Sequence, residues 1–324
     1  MSFILLLIGF VLLIKGADIF VDGASGIARK FNIPSMIIGL TIVAMGTSAP
    51  EAAVSITSAL AGENDMSVAN VVGSNFFNIL VVLGVSSLMA TLPVEKNTIK
   101  KDTPLLLITS GLLLLFGIDK NITRVEGLLF LVIFGYFIYT TIKGAKTVPV
   151  ETTIVQDEIA ATTQATETDS DEEPIVKTIL FSLLGIVGIV IGGDMVVDSA
   201  TDIATTLGMS ANLVGLTIVA VGTSLPEFVT SIVAIKKGET EIAIGNVIGS
   251  NIFNILLVLG LSATICPLVD PNGISLFALF DIIFMVIITV ILFIFMKQKN
   301  SLIKTHGIIF LVTYVCYMTY TIIR

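Results

Sequence analysis

Residues 39–51 of this chain, GLTIVAMGTSAPE, return without a gap as residues 215–227, GLTIVAVGTSLPE, and each copy lies inside a long apolar run. The two agree at 11 of 13 positions, with an offset of 222 − 46 = 176 residues. Asn70–Gly84 and Asn246–Gly260 agree at 12 of 15 positions with the same offset, and Asp18 and Asp22 align with Asp194 and Asp198. The chain is a duplicated unit, so a topology that suits one half must suit both.

The apolar runs set what that topology is. Hydrophobic residues make up 55% of the 324 and charged residues 13%, against about 25% charged in a soluble domain. Runs long enough to span a bilayer lie near Phe3–Val21, Pro34–Leu60, Ser67–Ala90, Thr103–Ile118 and Arg124–Ile142. The second half adds Ile179–Val197, Ala211–Ile235, Ile242–Ile265, Ile274–Met296 and Leu302–Ile323. They are continuous rather than alternating, which argues for helices and against a barrel. The first run lacks a basic leader and a small-residue cleavage site, and its counterpart resembles it, so it reads as a helix. The expected fold is an all-α membrane protein of ten transmembrane helices.

Five spans per half is an odd number, so the second half enters the membrane from the opposite side. With the N-terminus outside, 13 Lys and Arg residues fall in inner segments and 3 in outer ones, the bias of a cell-membrane protein. Both termini are then outside. Residues 1–142 form one repeat, with its core at 34–90, and 179–324 form the inverted second, with its core at 211–265. Between them, 143–178 holds Glu151, Asp157, Glu158, Glu167, Asp169 and Asp171–Glu173 in a Thr/Ala-rich stretch. It reads as an acidic, disordered cytoplasmic linker. Inverted repeats with paired interruptions are the plan of secondary transporters, with substrate bound near the midplane.

Pro50 and Pro226 interrupt the second and seventh spans. Each removes a helical hydrogen bond and loosens carbonyls near Ala44–Thr47 and Ala220–Thr223. Glu51 and Glu227 follow directly. An ionisable group at mid-bilayer costs roughly 2.5–3.5 kcal/mol on insertion scales, so it points to a functional site. Asn70, Ser74 and Asn78 recur every four residues, as do Asn246, Ser250 and Asn254. These rows offer amide and hydroxyl oxygens beside the carboxylates. Every candidate donor is oxygen, which suits hard cations such as Ca²⁺ and Na⁺, and no Cys or His joins them as a zinc or copper site requires. One Ca²⁺ would neutralise the two carboxylates.

Plainer readings exist for several of these residues. Ser48 and Glu51, like Ser224 and Glu227, fit a capping box that restarts a helix. The Asn/Ser rows fit interhelical hydrogen bonding. Asp18, Asp22, Asp194 and Asp198 lie towards span ends, where anchoring or capping is expected, with Lys15 placed to pair with Asp18. Cys266, Cys316 and His306 belong to no ligand spacing. No cofactor, nucleic acid or obligate protein partner is expected; the partners are the transported ions and the lipid bilayer.

The paired GTS-x-PE and GSN-x-FNIL motifs resemble the two alpha-repeats of the sodium/calcium exchanger family, within the wider cation/calcium antiporters. The resemblance covers nearly the whole membrane portion. It implies that Glu51 and Glu227 bind Ca²⁺ with the carbonyls of Thr47 and Thr223. It also implies that Ala44, Ser48, Ser74, Ala220, Ser224 and Ser250 line flanking Na⁺ sites, with Asn78 and Asn254 completing the centre. The first and sixth helices would slide across a fixed core, and several Na⁺ would exchange for one Ca²⁺. Many relatives carry an aspartate at one of the positions of Asn78 and Asn254. Asparagine at both removes a third charge and argues against K⁺ co-transport. The large cytoplasmic Ca²⁺-binding domains of animal exchangers are missing.

A Ca²⁺/H⁺ antiporter could use the same two glutamates, but its relatives carry a GNA-x-E motif that is missing here. IGGD at 191–194 approaches the GxGD of intramembrane aspartyl proteases, with Ile191 in the place of the first glycine. A passive channel is the third alternative. The sequence favours a Na⁺/Ca²⁺ antiporter and no enzyme.

Overall fold

A computed structural model describes residues 1–145, 175–208, 220–269 and 274–323. The helices run in chain order α1 (Ser2–Phe31), α2 (Ser35–Thr47), α3 (Ala49–Leu60) and α4 (Asn64–Met89), then α5 (Thr103–Gly117) and α6 (Arg124–Ala145). They continue with α7 (Ile175–Thr206), α8 (Ala220–Gly222), α9 (Leu225–Lys236), α10 (Thr240–Ile265), α11 (Leu276–Lys299) and α12 (Lys304–Ile323). The only ladder among the described residues is two residues long: β1 (Leu92–Pro93) pairs antiparallel with β2 (Ser301–Leu302). The protein is therefore nearly all-helical.

Six described helices are long and apolar enough to cross a membrane: α1, α4, α6, α7, α10 and α11. The pair α2 and α3, bent by 48° at the break before Ala49, makes up to seven. Helix α5 has 15 residues, only about 22 Å at 1.5 Å per residue, and α9 has 12. The first part of the expected span Ala211–Ile235 lies outside the described residues, as does 146–174 of the acidic linker. The ends of that linker are helical, because α6 runs to Ala145 and α7 begins at Ile175.

Two kinds of long helix divide the molecule. In α10, 94% of the apolar span is buried, and in α4 72%, so these two, which carry GSN-x-FNIL, form the centre. Helices α1 and α7 bury about a third or less and show Phe3, Leu7, Val11, Leu183 and Val187 outward, as lipid-facing helices do. They pack on each other backbone to backbone. A Cβ on Gly16 would stand 2.7 Å from Ile189 N, and one on Gly192 would stand 2.5 Å from Leu13 N.

Both helices continue past their apolar stretches. Helix α1 ends only at Asn32, in a left-handed cap with φ 50°, with Arg29 and Lys30 in its last turn, where positive charge suits the helix dipole. Asp18 and Asp22 therefore lie mid-helix rather than at a cap. Lys237 makes their close ion pairs, with Nζ 2.7 Å from Asp18 Oδ1 and 2.6 Å from Asp22 Oδ1, while Lys15 attracts Asp18 from farther away. Asp194 and Asp198 are likewise inside α7. His306 is buried and stacks on Phe295 with ring centroids 4.3 Å apart, a packing role.

Candidate cation-binding site

The break between α2 and α3 and its counterpart before α9 put Pro50 and Pro226 in the first turn of a new half-helix. Proline has no N–H at that position to lose and cannot serve the carbonyl one turn back. Glu51 and Glu227 thus open α3 and α9, and both are 0% exposed. Helices α4 and α10 run alongside and loosen at the same place. Each passes into a π-helical turn, Phe77–Val82 in one and Asn254–Leu259 in the other, a feature that accompanies functional sites. Nothing in the apolar pattern announces these turns.

The capping-box reading of the serines does not hold. Ser48 and Ser224 stand at the N-caps of α3 and α9 but make no side-chain cap bond. Their hydroxyls cross between the halves instead. Ser48 Oγ donates to Glu227 Oε1 at 3.2 Å, and Ser224 Oγ lies 3.1 Å from Glu51 Oε1 and 3.0 Å from Ser74 Oγ. Ser74 Oγ also lies 3.3 Å from Glu51 Oε1. Each carboxylate is held by the serine preceding the other carboxylate, so the two motifs converge on one centre.

The asparagines divide by role. Asn70 Nδ2 donates to the main-chain oxygen of Glu51 at 3.1 Å and to Ser55 Oγ at 2.8 Å. Its mate Asn246 does the same to Glu227 O at 3.3 Å and Ser231 Oγ at 3.0 Å. These two hold the glutamate backbones. Thr47 Oγ1 bonds Asn246 Oδ1 at 3.1 Å and lies 3.4 Å from Ser250 Oγ. Asn78 and Asn254 lie at 0% exposure, and each donates Nδ2 to an asparagine of the opposite half at 3.1 Å. Thr223 is buried, and its Oγ1 has no hydrogen-bond partner among the described residues. Ala44 is buried beside the break, its carbonyl accepting from Ser48 N at 3.0 Å. Ala220 opens α8, and its side chain lies outside the described residues.

What remains is a set of acceptors without donors. Glu51 Oε2, Glu227 Oε2, Asn78 Oδ1 and Asn254 Oδ1 are all buried, and among the described residues none accepts a hydrogen bond. Buried polar atoms are ordinarily satisfied, and an ionised carboxylate above all. Four orphaned oxygens of this kind fit a bound cation. Among the described residues no three His, Cys, Asp or Glu side chains gather as a metal site, so two carboxylates supply all the formal charge.

Sequence reasoning overlooked Asn75 and Asn251, which cross-link the halves. The signal was present, since both stand inside the repeated GSN-x-FNIL motif. Their amide nitrogens serve main-chain oxygens of the opposite half, and no spacing along the chain announces such a bond.

Residues 1–143 and 177–323 match the family of sodium/calcium exchanger proteins. CaxA of Alkalimonas amylolytica is 45% identical over 264 residues, covering 82% of this chain and 81% of CaxA. The sodium/calcium exchanger MaX1 of Methanosarcina acetivorans is 32% identical over 344 residues, covering 98% of this chain and 97% of MaX1. The solved structure of the sodium-calcium exchanger NCX_Mj soaked with 2.5 mM Na⁺ and 0.1 mM Ca²⁺ aligns with a TM-score of 0.82 at 29% identity, covering 98% of this chain and 97% of that one. With its doubled motif, its apolar helices and similarity along nearly its whole length, this chain belongs to the sodium/calcium exchanger family, integral membrane transporters rather than enzymes.

Proposed function

We propose that this protein is a secondary antiporter that exchanges Na⁺ for Ca²⁺ by alternating access, binding both cations at mid-membrane between Glu51 and Glu227. The observation that carries the proposal is the group of four buried, donorless oxygens on Glu51, Glu227, Asn78 and Asn254. Two buried negative charges without a counter-charge would be strongly unfavourable, and one Ca²⁺ balances them. Ser48 and Ser224 occupy Oε1 of each carboxylate, which leaves Oε2 turned to the ion. The carbonyls of Thr47 and Thr223, beside the proline breaks, complete the Ca²⁺ shell. In this reading Ala44, Ser48, Ser74, Ala220, Ser224 and Ser250 contribute oxygens to flanking Na⁺ sites. Na⁺ and Ca²⁺ share the glutamates, so binding of one set displaces the other.

The reading extends to the whole molecule. Ten spans form two inverted repeats, 1–142 and 179–324, with both termini outside and the 143–178 linker in the cytoplasm. The reciprocal bonds between halves support this: Asn75 and Asn251 each donate to the other's main-chain oxygen, and Ser48 and Ser224 each bond the carboxylate of the opposite half. Helices α1 and α7, packed mainly on each other through glycines, would move as a unit over the centre built by α4 and α10. NCX_Mj, solved in Na⁺, Ca²⁺ and Sr²⁺ soaks, supplies the analogy for cation choice.

The test is uptake of radiolabelled Ca²⁺ into vesicles loaded with Na⁺, with pH clamped on both faces. An outward Na⁺ gradient should drive uptake, and Glu51→Gln or Glu227→Gln should abolish it while the protein still inserts. Uptake driven by a pH step and indifferent to Na⁺ would make the protein a Ca²⁺/H⁺ antiporter. Normal uptake by both variants would remove the site itself.

A further inference from the structure

Asn75 and Asn251 are 1% and 0% exposed, and the set of ion ligands leaves both out. Asn75 Nδ2 donates to the main-chain oxygen of Asn251 at 3.3 Å, and Asn251 Nδ2 donates to the main-chain oxygen of Asn75 at 3.3 Å. Asn75 Nδ2 also lies 3.5 Å from Met285 Sδ. A carbonyl oxygen can only accept, so each main-chain bond dictates which end of the side-chain amide is nitrogen. The oxygen at the other end then needs a donor. Asn75 Oδ1 accepts from Asn254 Nδ2 at 3.1 Å, and Asn251 Oδ1 accepts from Asn78 Nδ2 at 3.1 Å. With their nitrogens committed, Asn254 and Asn78 each leave Oδ1 buried and without a donor.

The two ends of an amide have nearly the same size and shape, so packing alone does not choose between them. Their charges are opposite. Turned over, Asn78 or Asn254 would direct N–H groups at a cation instead of a lone pair. The choice passes from a fixed main-chain carbonyl, through Asn75 or Asn251, to the asparagine at the site. We propose that Asn75 and Asn251 are positioning residues of the cation site, which lock the amides of Asn254 and Asn78 with oxygen towards the ion. This rests on the reading of that centre as the cation site. Each half sets the polarity of the ligand in the other, so the two ligands are oriented by one reciprocal network.

A double-mutant cycle on Ca²⁺ binding to the purified full-length protein separates orientation from simple packing. Asn75→Ala should weaken Ca²⁺ binding about tenfold, because Asn254 becomes free to turn. A carboxylate presents oxygen from either end, so nothing needs to fix its polarity. In an Asn254→Asp background, Asn75→Ala should therefore change affinity less than about twofold. Equal losses in both backgrounds would overturn the proposal, since a packing defect does not depend on which group stands at 254. The same cycle with Asn251→Ala and Asn78→Asp tests the other arm, and serves where Asn75→Ala fails to fold. If neither alanine variant folds, the role is structural and the proposal fails. Native Ca²⁺ binding by Glu51→Gln and Glu227→Gln would reject the cation site itself, whatever the ratio of the cycle.

Discussion

The hydroxyl of Ser48 donates to Glu227 across the molecule at 3.2 Å, although 179 residues separate them along the chain. Ser224 stands in the same relation to Glu51 at 3.1 Å. Each repeat therefore supplies a carboxylate and the donor that orients the other repeat's carboxylate. Neither half by itself holds both members of either pair. A hydroxyl bond to an ionised group contributes about 1.5–3 kcal/mol.

Ser48→Ala and Ser224→Ala should each raise the half-saturating Ca²⁺ concentration of exchange by about one order of magnitude while leaving Ca²⁺ transport measurable. Vesicle flux at graded Ca²⁺ measures this. A double variant no worse than either single one would show that the two bonds act on one binding event.

The contact between α1 and α7 depends on missing side chains. Gly192→Ala would place a Cβ 2.5 Å from Leu13 N and 2.8 Å from Gly9 O. Main-chain atoms yield only if the helices separate. The expected outcome is a loss of about 1–3 kcal/mol in stability together with slowed exchange. Gly193→Ala is the control, because its Cβ would meet Pro226 Cγ at an ordinary 3.5 Å. Melting of the detergent-solubilised variants compares the two.

Lys237 ties the turn between α9 and α10 to α1 through Asp18 and Asp22, and also donates to Asp18 O at 2.9 Å. Burial pulls its ammonium down, yet the bonds to both aspartates outweigh that and hold it above the ordinary lysine range. The aspartates are partly solvated, at 43% and 69% exposure, so the cluster contributes about 1 kcal/mol or less. Lys237→Ala should lower the melting temperature slightly. Asp18→Asn added to it should cost nothing more if Lys237 is the aspartate's operative partner. The symmetry mate of Lys237 is Ala61, so the second half has no equivalent tie.

Asp102 precedes α5 and lines a cavity of about 580 Å³ with Lys100, Lys101, Tyr136 and Thr140. Burial pushes its carboxyl up to about 6. A folded value above the unfolded one favours the folded state at low pH, and that contribution disappears as pH rises through about 6. Asp102→Asn should therefore stabilise the protein by at most about 3 kcal/mol near pH 8, and by less than about 1 kcal/mol near pH 4. Melting curves at the two pH values decide it.

Much of this protein is one-dimensional information. The offset of 176 residues, the apolar runs, the proline breaks and the glutamates beside them are visible in the sequence. They are visible because membrane thickness, proline geometry and the cost of a buried charge act on local segments. Those terms sufficed to mark Glu51 and Glu227 as a pair. They mark where hydrophobicity fades along α1 and α7, not where those helices end. A helix satisfies its own backbone and need not stop there, so Asp18 and Asp22 lie mid-helix, within reach of Lys237.

Residue order alone establishes that two copies of one motif lie in apolar runs and carry two acids among oxygen donors. How those donors are aimed is set by contacts between the two halves. Ser48 and Ser224 could as well have capped their own helices, and the amides of Asn78 and Asn254 could as well have been turned over. Such choices depend on the direction of hydrogen bonds to Asn75, Asn251 and the opposite motif, whose partners lie 173–179 residues away. Direction is a property of the folded neighbourhood, which residue order alone does not specify.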